Sequence, residues 1–207
     1  GVRGPFLPLY WPRSLHWSRA YTGLLTPRIK LVGGSIVCLQ HPDGCIRRDP
    51  ECLGPKVEGY VWATDRVGLK VLLRGFHCRA FGFRKIFAQH QEKSHAVLYG
   101  EYGMNRAILA ANYSITTPLL AYRNVDWSDP SFTNNASKCN GFRAPSREGW
   151  YNGISIHPYE SVFIKTSWYS QGTSLTWVGN SHVAPLRPRE MPLYTKWELE
   201  GAARHVT

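Results

Sequence analysis

Glu101 stands in the stretch GEYGMNRAILAANYSITTPLLAYRNVDW (100–127), where a helical pattern carried by Met104, Ile108 and Leu109 begins. The first turn of a helix has unpaired N–H groups and the positive end of the macrodipole, and both favour an anion. A carboxylate there could sit ionised at the mouth of a cleft, although one that only caps or solvates its helix carries the same signature. His157 is the next candidate, because Pro158 follows it and would hold the imidazole well; a satisfied core histidine has that pattern too. Asp65 lies between a strand pattern and a helix pattern, where N-capping accounts for it without any function. Trp127 and Trp150 offer flat apolar faces with a polar edge, which suit either a core or a planar ligand face.

The spacing of other reactive types points away from a metal cage. Five cysteines, at 38, 45, 52, 78 and 139, include no CxxC pair, and Cys38, Cys45 and Cys52 fall at equal intervals of seven, too irregular with the rest for a zinc cage. Their odd number leaves at least one thiol unpaired in a monomer. Two triplets, Asn112-Tyr-Ser and Asn135-Ala-Ser, are glycan acceptors if the chain enters a secretory pathway. The formal net charge of +11 favours phosphates, nucleotides, anionic membranes or nucleic acid as partners. The basic residues are scattered in small groups, however: Arg47-Arg48, Arg79, Arg84-Lys85 and Arg187 with Arg189. This suits a solvated basic surface or a phosphate-bearing small ligand better than a nucleic-acid groove.

The elements that must position these residues come from 207 residues with 43% hydrophobic content, enough for one substantial core. One domain (1–168) with an irregular tail (169–207) is the natural division. Pro5, Pro8 and Pro12 keep the start of the chain from forming a helix, and a short helix fits Ser14 to Leu25, with Ser14 or Ser18 as cap. IKLVGGSIVCL (29–39) reads as a strand with a bulge or as two short strands, broken at Gly33-Gly34. HPDGCIRRDPECLGPK (41–56) reads as a surface loop and VEGYVWA (57–63) as a buried strand. After Asp65, the apolar positions 67, 69, 71, 72 and 73 predict a heavily packed helix ended by Gly75. The basic, aromatic segment from Phe76 to Gln91 has no clear period and reads as a loop. Ser94 is a second candidate start for the central helix, with interruptions at Gly100 and Gly103. Ile115 to Tyr122 reads as an edge or bulged strand because of Pro118, and a long loop follows. Order resumes at ISIHPYESVFIKTSW (154–168), with Val162, Phe163 and Ile164 buried. No apolar run is long enough to span a bilayer, and Gly1 suggests a processed chain or a fragment.

The ordered series VRGPFLPLYW, IKLVGGSIVC, VEGYVWATDRVGLKVL, GEYGMNRAILAANYSI, YRNVDW and ISIHPYESVFIK resembles a family of glycosyltransferases of algae, oomycetes and bacteria related to rhamnan-synthesis protein F. It covers roughly residues 2 to 167. Each block alone is weak, and the specificity lies in their order and spacing.

The resemblance implies an α/β fold with a mixed sheet flanked by helices, a partial GT-A-like (nucleotide-diphospho-sugar transferase) domain with long loops. It implies transfer of a sugar from a nucleotide-sugar donor to a glycan hydroxyl, with a divalent metal, Mn or Mg, as cofactor. Under it Glu101 is the base, and Arg3, Gly4 and His157 lie at the donor phosphates, His157 also serving as a metal ligand. Asp65, Asp126, Trp127 and Trp150 lie at the acceptor. The chain departs from the pattern in having no DxD: Asp126 and Asp129 are spaced as DWSD. The nucleotide-binding half would then precede Gly1, and this chain would be the acceptor-side portion or a subunit of a larger protein. The alternative is a non-catalytic descendant that binds a glycan or another subunit. The secretory pathway, in the Golgi lumen, is favoured over the cytoplasm.

Overall fold

Strand β2 (Ile29–Gly33) is the axis of the molecule in a computed structural model that describes residues 2–39, 54–78, 82–132, 137–139, 145, 151 and 156–165. It lies at the centre of a three-stranded mixed sheet, antiparallel to β5 (Trp62–Ala63) on one side and parallel to β8 (Ser114–Thr116) on the other. Its β-branched and aliphatic residues serve both faces. Leu31 enters the main core with Leu72, Met104, Ile108, Ile115 and Trp127, while Val32 packs with Tyr21 and Val162 in a second, smaller core. A strand buried on both faces needs cover on each side, and helices supply it.

Gly33-Gly34 divides the apolar run 29–39 into two strands. Beyond it β3 (Ile36–Leu39) leaves the central sheet to pair antiparallel with β4 (Gly54–Val57). A Cβ on Gly33 would lie 2.0 Å from Val57 Cγ1, so the crossing needs a glycine there. The expected loop 41–56 therefore ends in a strand, in which Lys56 is buried; its earlier part lies outside the described residues. The expected single strand 57–63 is also divided. Glu58, Gly59 and Tyr60 turn between β4 and β5, and the Glu58 N–H donates to Ser35 O at 3.1 Å.

Helix α2 (Arg66–Arg74) is capped by Asp65, which accepts from the Gly68 N–H at 2.8 Å, and ends at Gly75 with φ 80°. It packs through Gly68, Val71 and Leu72, which are spaced to share one face. Val67, Leu69 and Leu73 are exposed, which corrects the expectation that all five apolar positions pack. The first part of the expected loop 76–91 is paired strand, β6 (Phe76–Cys78) antiparallel to β7 (Gly82–Arg84), while residues 85–91 form neither helix nor strand.

The central helix begins at α3 (Lys93–His95), one residue before the expected Ser94 cap, and passes through a π-helical turn (Ala96–Glu101) into α4 (Tyr102–Ala110). Glu101 has helical φ and ψ, so it lies inside a helix, not at its start. That corrects the macrodipole argument for this residue. The interruption expected at Gly100 takes the form of the wider π turn, whereas Gly103 is buried in α4, where a Cβ would meet Phe76 Cε1 at 2.6 Å. Asn112, at φ 61°, turns the chain from α4 into β8, and β8 stops before Pro118 with a 3₁₀ turn (Leu120–Tyr122) after it.

The two ends of the described chain meet. β1 (Val2–Arg3) pairs with β9 (Ile164–Lys165), and Gly4, at φ 135°, has no room for a Cβ beside Val162 O. α1 is only Arg19–Thr22, shorter than the helix expected over 14–25, and α5 is Pro158–Ser161. Val162 and Ile164 are buried as expected; Phe163 is half-buried. A disulfide joins Cys38 of β3 to Cys139, with Cα atoms 5.1 Å apart. Among the described residues no helix is long and apolar enough to cross a membrane.

Candidate functional site

The parallel pair β2 and β8 runs toward Gly34-Ser35 and Thr117, and in open α/β sheets the carboxyl ends of the strands are where ligands bind. Polar groups converge at this edge. Thr117 Oγ1 donates to Gly34 O at 3.2 Å, closing β8 onto β2. Ser35 is fully buried; its hydroxyl donates to Glu58 Oε2 at 2.5 Å and accepts from the Tyr60 hydroxyl at 3.2 Å. Burial, and then the Glu58 charge, push the Tyr122 hydroxyl up to about 12, so Tyr122 stays protonated and can donate.

Glu101 reaches the same edge from the π turn. Its Oε1 accepts from the Gly59 N–H at 2.6 Å. A Cβ on Gly59 would fall 2.9 Å from Glu101 Cγ, so the carboxylate needs a glycine opposite it. Fully buried Asn105, one helical turn on, fixes α4 against the same turn: its Oδ1 accepts from the Val57 N–H at 2.8 Å and its Nδ2 donates to Glu101 O at 3.1 Å. The half-buried Glu101 therefore has its carboxylate held by the β4–β5 turn and its backbone carbonyl held by Asn105 of the helix.

A second polar group adjoins the first through the Tyr122 and Tyr151 rings, whose centroids are 5.8 Å apart edge to face. Glu160 Oε1 accepts from the Leu120 N–H at 2.6 Å and from the Tyr151 hydroxyl at 2.5 Å. His157 stands beside it, with Nδ1 accepting from the Tyr159 N–H at 3.2 Å. Burial lowers its pKa against the opposing pull of Glu160, which favours the neutral ring. Glu101 and His157 thus belong to neighbouring clusters linked by Glu58, Tyr122, Tyr151 and Glu160.

The remaining predicted residues do not gather there. Asp65 lies toward the amino end of β2, with its Oδ2 2.6 Å from Lys30 Nζ. Burial pushes its carboxyl up, but the Gly68 N–H and the Lys30 ammonium outweigh this and hold it below its ordinary value. Asp126 is at the same end: it pairs with Arg28 at 2.9 Å and accepts from the Ser128 N–H, and the Ser128 hydroxyl is the main cause of its lowered pKa. Asp129 likewise accepts from the Ser131 N–H at 2.8 Å and pairs with Lys138, so the DWSD aspartates form turns. Trp127 is fully buried against Tyr122 and Phe132, which corrects the expectation that it stacks on a ligand. Arg3 and Gly4 lie beside β9 and Val162; Trp150 is outside the described residues. Among the described residues no group of three or more His, Cys, Asp or Glu could hold a metal ion, so His157 is not part of such a group.

Glu58, Ser35, Tyr60, Asn105 and Tyr151 were not singled out from sequence. Glu58 had a signal, since it is the lone carboxylate in the apolar run VEGYVWA and a buried charge needs a partner. The basic residues are engaged at separate places, as scattered charge predicts: Arg28 with Asp126, Lys30 with Asp65, Lys138 with Asp129, and Arg106 over the Phe76 ring at 4.8 Å.

What fold and site define together is a mixed α/β domain with a polar, carboxylate-bearing strand edge. A scan against protein-family models, a search of curated proteins and a search of solved structures each return no match to this chain.

Proposed function

We propose that this chain is the acceptor-side portion of a GT-A-like glycosyltransferase, with Glu101 as the base that activates a glycan hydroxyl. The observation that carries the proposal is the convergence of Glu101 with Ser35, Glu58 and Tyr60 at the carboxyl edge of β2 and β8. Sugars are recognised through hydroxyls that donate and accept, and the half-buried Tyr60 and Glu101 are the polar side chains this edge presents to one, Ser35 and Glu58 being buried. With Oε1 held by Gly59, the Glu101 carboxylate can take the acceptor proton on Oε2. The acceptor oxygen then bonds to the anomeric carbon of the donor, and the bond from that carbon to the nucleoside diphosphate breaks. Among the described residues no group would hold the divalent metal that the resemblance implies, so no step of this proposal runs through it.

The test is nucleoside diphosphate release by the natural protein that carries these residues, supplied with nucleotide sugars, Mn²⁺ and oligosaccharide acceptors. Acceptor-dependent release that falls in Glu101→Gln supports the assignment. Glycan retention without release would favour the non-catalytic binding descendant, and neither release nor retention would overturn both readings.

A further inference from the structure

We propose that Asn112 carries an N-linked glycan, at the end of the domain opposite the candidate site. Three observations bear on it. The Asn112-Tyr113-Ser114 triplet is an acceptor pattern, and the side chain is exposed where α4 gives way to β8, between exposed Ala111 and half-buried Tyr113. Asn112 is in the left-handed region, at φ 61°, which places it at the apex of a turn; asparagine tolerates that conformation better than most residues. The disulfide between Cys38 and Cys139 closes across 101 residues, and disulfides persist in the oxidising compartments where N-glycans are added.

Ser114 is buried in β8, but the acceptor triplet is used on the extended chain before β8 forms, so its burial in the fold is no obstacle. What the fold must supply is room at Asn112. In the transfer the amide Nδ2 of Asn112 bonds to the anomeric carbon of a polyprenyl-diphosphate-linked oligosaccharide. The carbon–oxygen bond to the diphosphate breaks, the lipid diphosphate leaves, and the amide loses one proton to base. Glu101 precedes α4 and Asn112 follows it, so at about 1.5 Å rise per residue they stand roughly 16 Å apart along the helix. A glycan at Asn112 would therefore leave the edge around Glu101 and Glu58 open, and would cover the amino end of β8.

The full-length natural protein, expressed from its own reading frame in eukaryotic cells, is treated with peptide N-glycosidase in heavy-oxygen water and digested with trypsin. The expected result is the mass gain of a deglycosylated Asn112 in the peptide 107–123, lost in Asn112→Gln and in Ser114→Ala. Occupancy in the wild-type chain decides the matter even if a variant fails to fold. An unmodified 107–123 peptide, including one from protein retained in the cytoplasm, would overturn the proposal. The readout is independent of sugar transfer by the chain itself.

Discussion

Asp65 shows how one side chain can serve two structural ends at once. One oxygen caps α2 and the other pairs with Lys30, whose side chain is 8% exposed. Asp65→Ala should cost about 1–2 kcal/mol from the cap, with more from leaving Lys30 buried without its carboxylate. Urea unfolding at neutral pH would measure it. Because the folded carboxyl has a lowered pKa, its contribution is present above the ordinary carboxylate value of 3.8 and is lost as pH falls through the folded value. The gap between wild type and variant should therefore close in acid; a gap unchanged there would contradict the pairing. Trp127 makes the opposite point about aromatic residues. Fully buried, it should cost about 3–5 kcal/mol when replaced by Ala, and any loss of glycan affinity should follow the loss of folded protein. Selective loss of binding in a stable variant would restore the stacking expectation.

At the scale of elements, the glycines carry the organisation. Gly33 makes room for the Val57 side chain of β4, so Gly33→Ala should cost about 1–3 kcal/mol by overpacking. Adding Val57→Ala should recover part of that loss, because the offending Cγ1 is gone. Additive losses in a double-mutant cycle would show that the contact is not the source. The sequence was legible where a local device sets the structure: the Asp65 cap, the Gly75 stop, and the break at Gly33-Gly34. It was misleading where tertiary partners decide. The run 57–63 has the composition of one strand, yet the Glu58 and Gly59 N–H groups, donating to Ser35 O and Glu101 Oε1, hold it as a turn. Hairpin β6–β7 has no alternation to betray it, and the π turn left no signal beyond Gly100. The apolar positions of α2 overstated its buried face because three of them point to solvent.

For the whole molecule, the question is what ties distant segments around the β2 axis. The Cys38–Cys139 bond encloses a loop of about a hundred residues, for which the chain-entropy account gives up to about 4.7 kcal/mol. Cys38→Ser should lower stability by about 2–5 kcal/mol, and reductant should have little further effect on that variant. Equal stability of wild type with and without reductant would mean the cross-link does not constrain the chain. Of the site residues predicted from sequence, the structure draws Glu101 and His157 into adjoining clusters and leaves Asp65 and Asp126 at the other end of β2. Spacing along the chain could not separate these groups, because only the parallel pairing of β2 with β8 defines which end each one joins.

The most direct measurement is the rate of acceptor-dependent nucleoside diphosphate release by wild type and Glu101→Gln, compared at matched folded fractions. The account predicts a fall of about 10²–10⁴-fold in kcat. An unchanged rate, or release that never depended on an acceptor hydroxyl, would contradict the role given to that carboxylate.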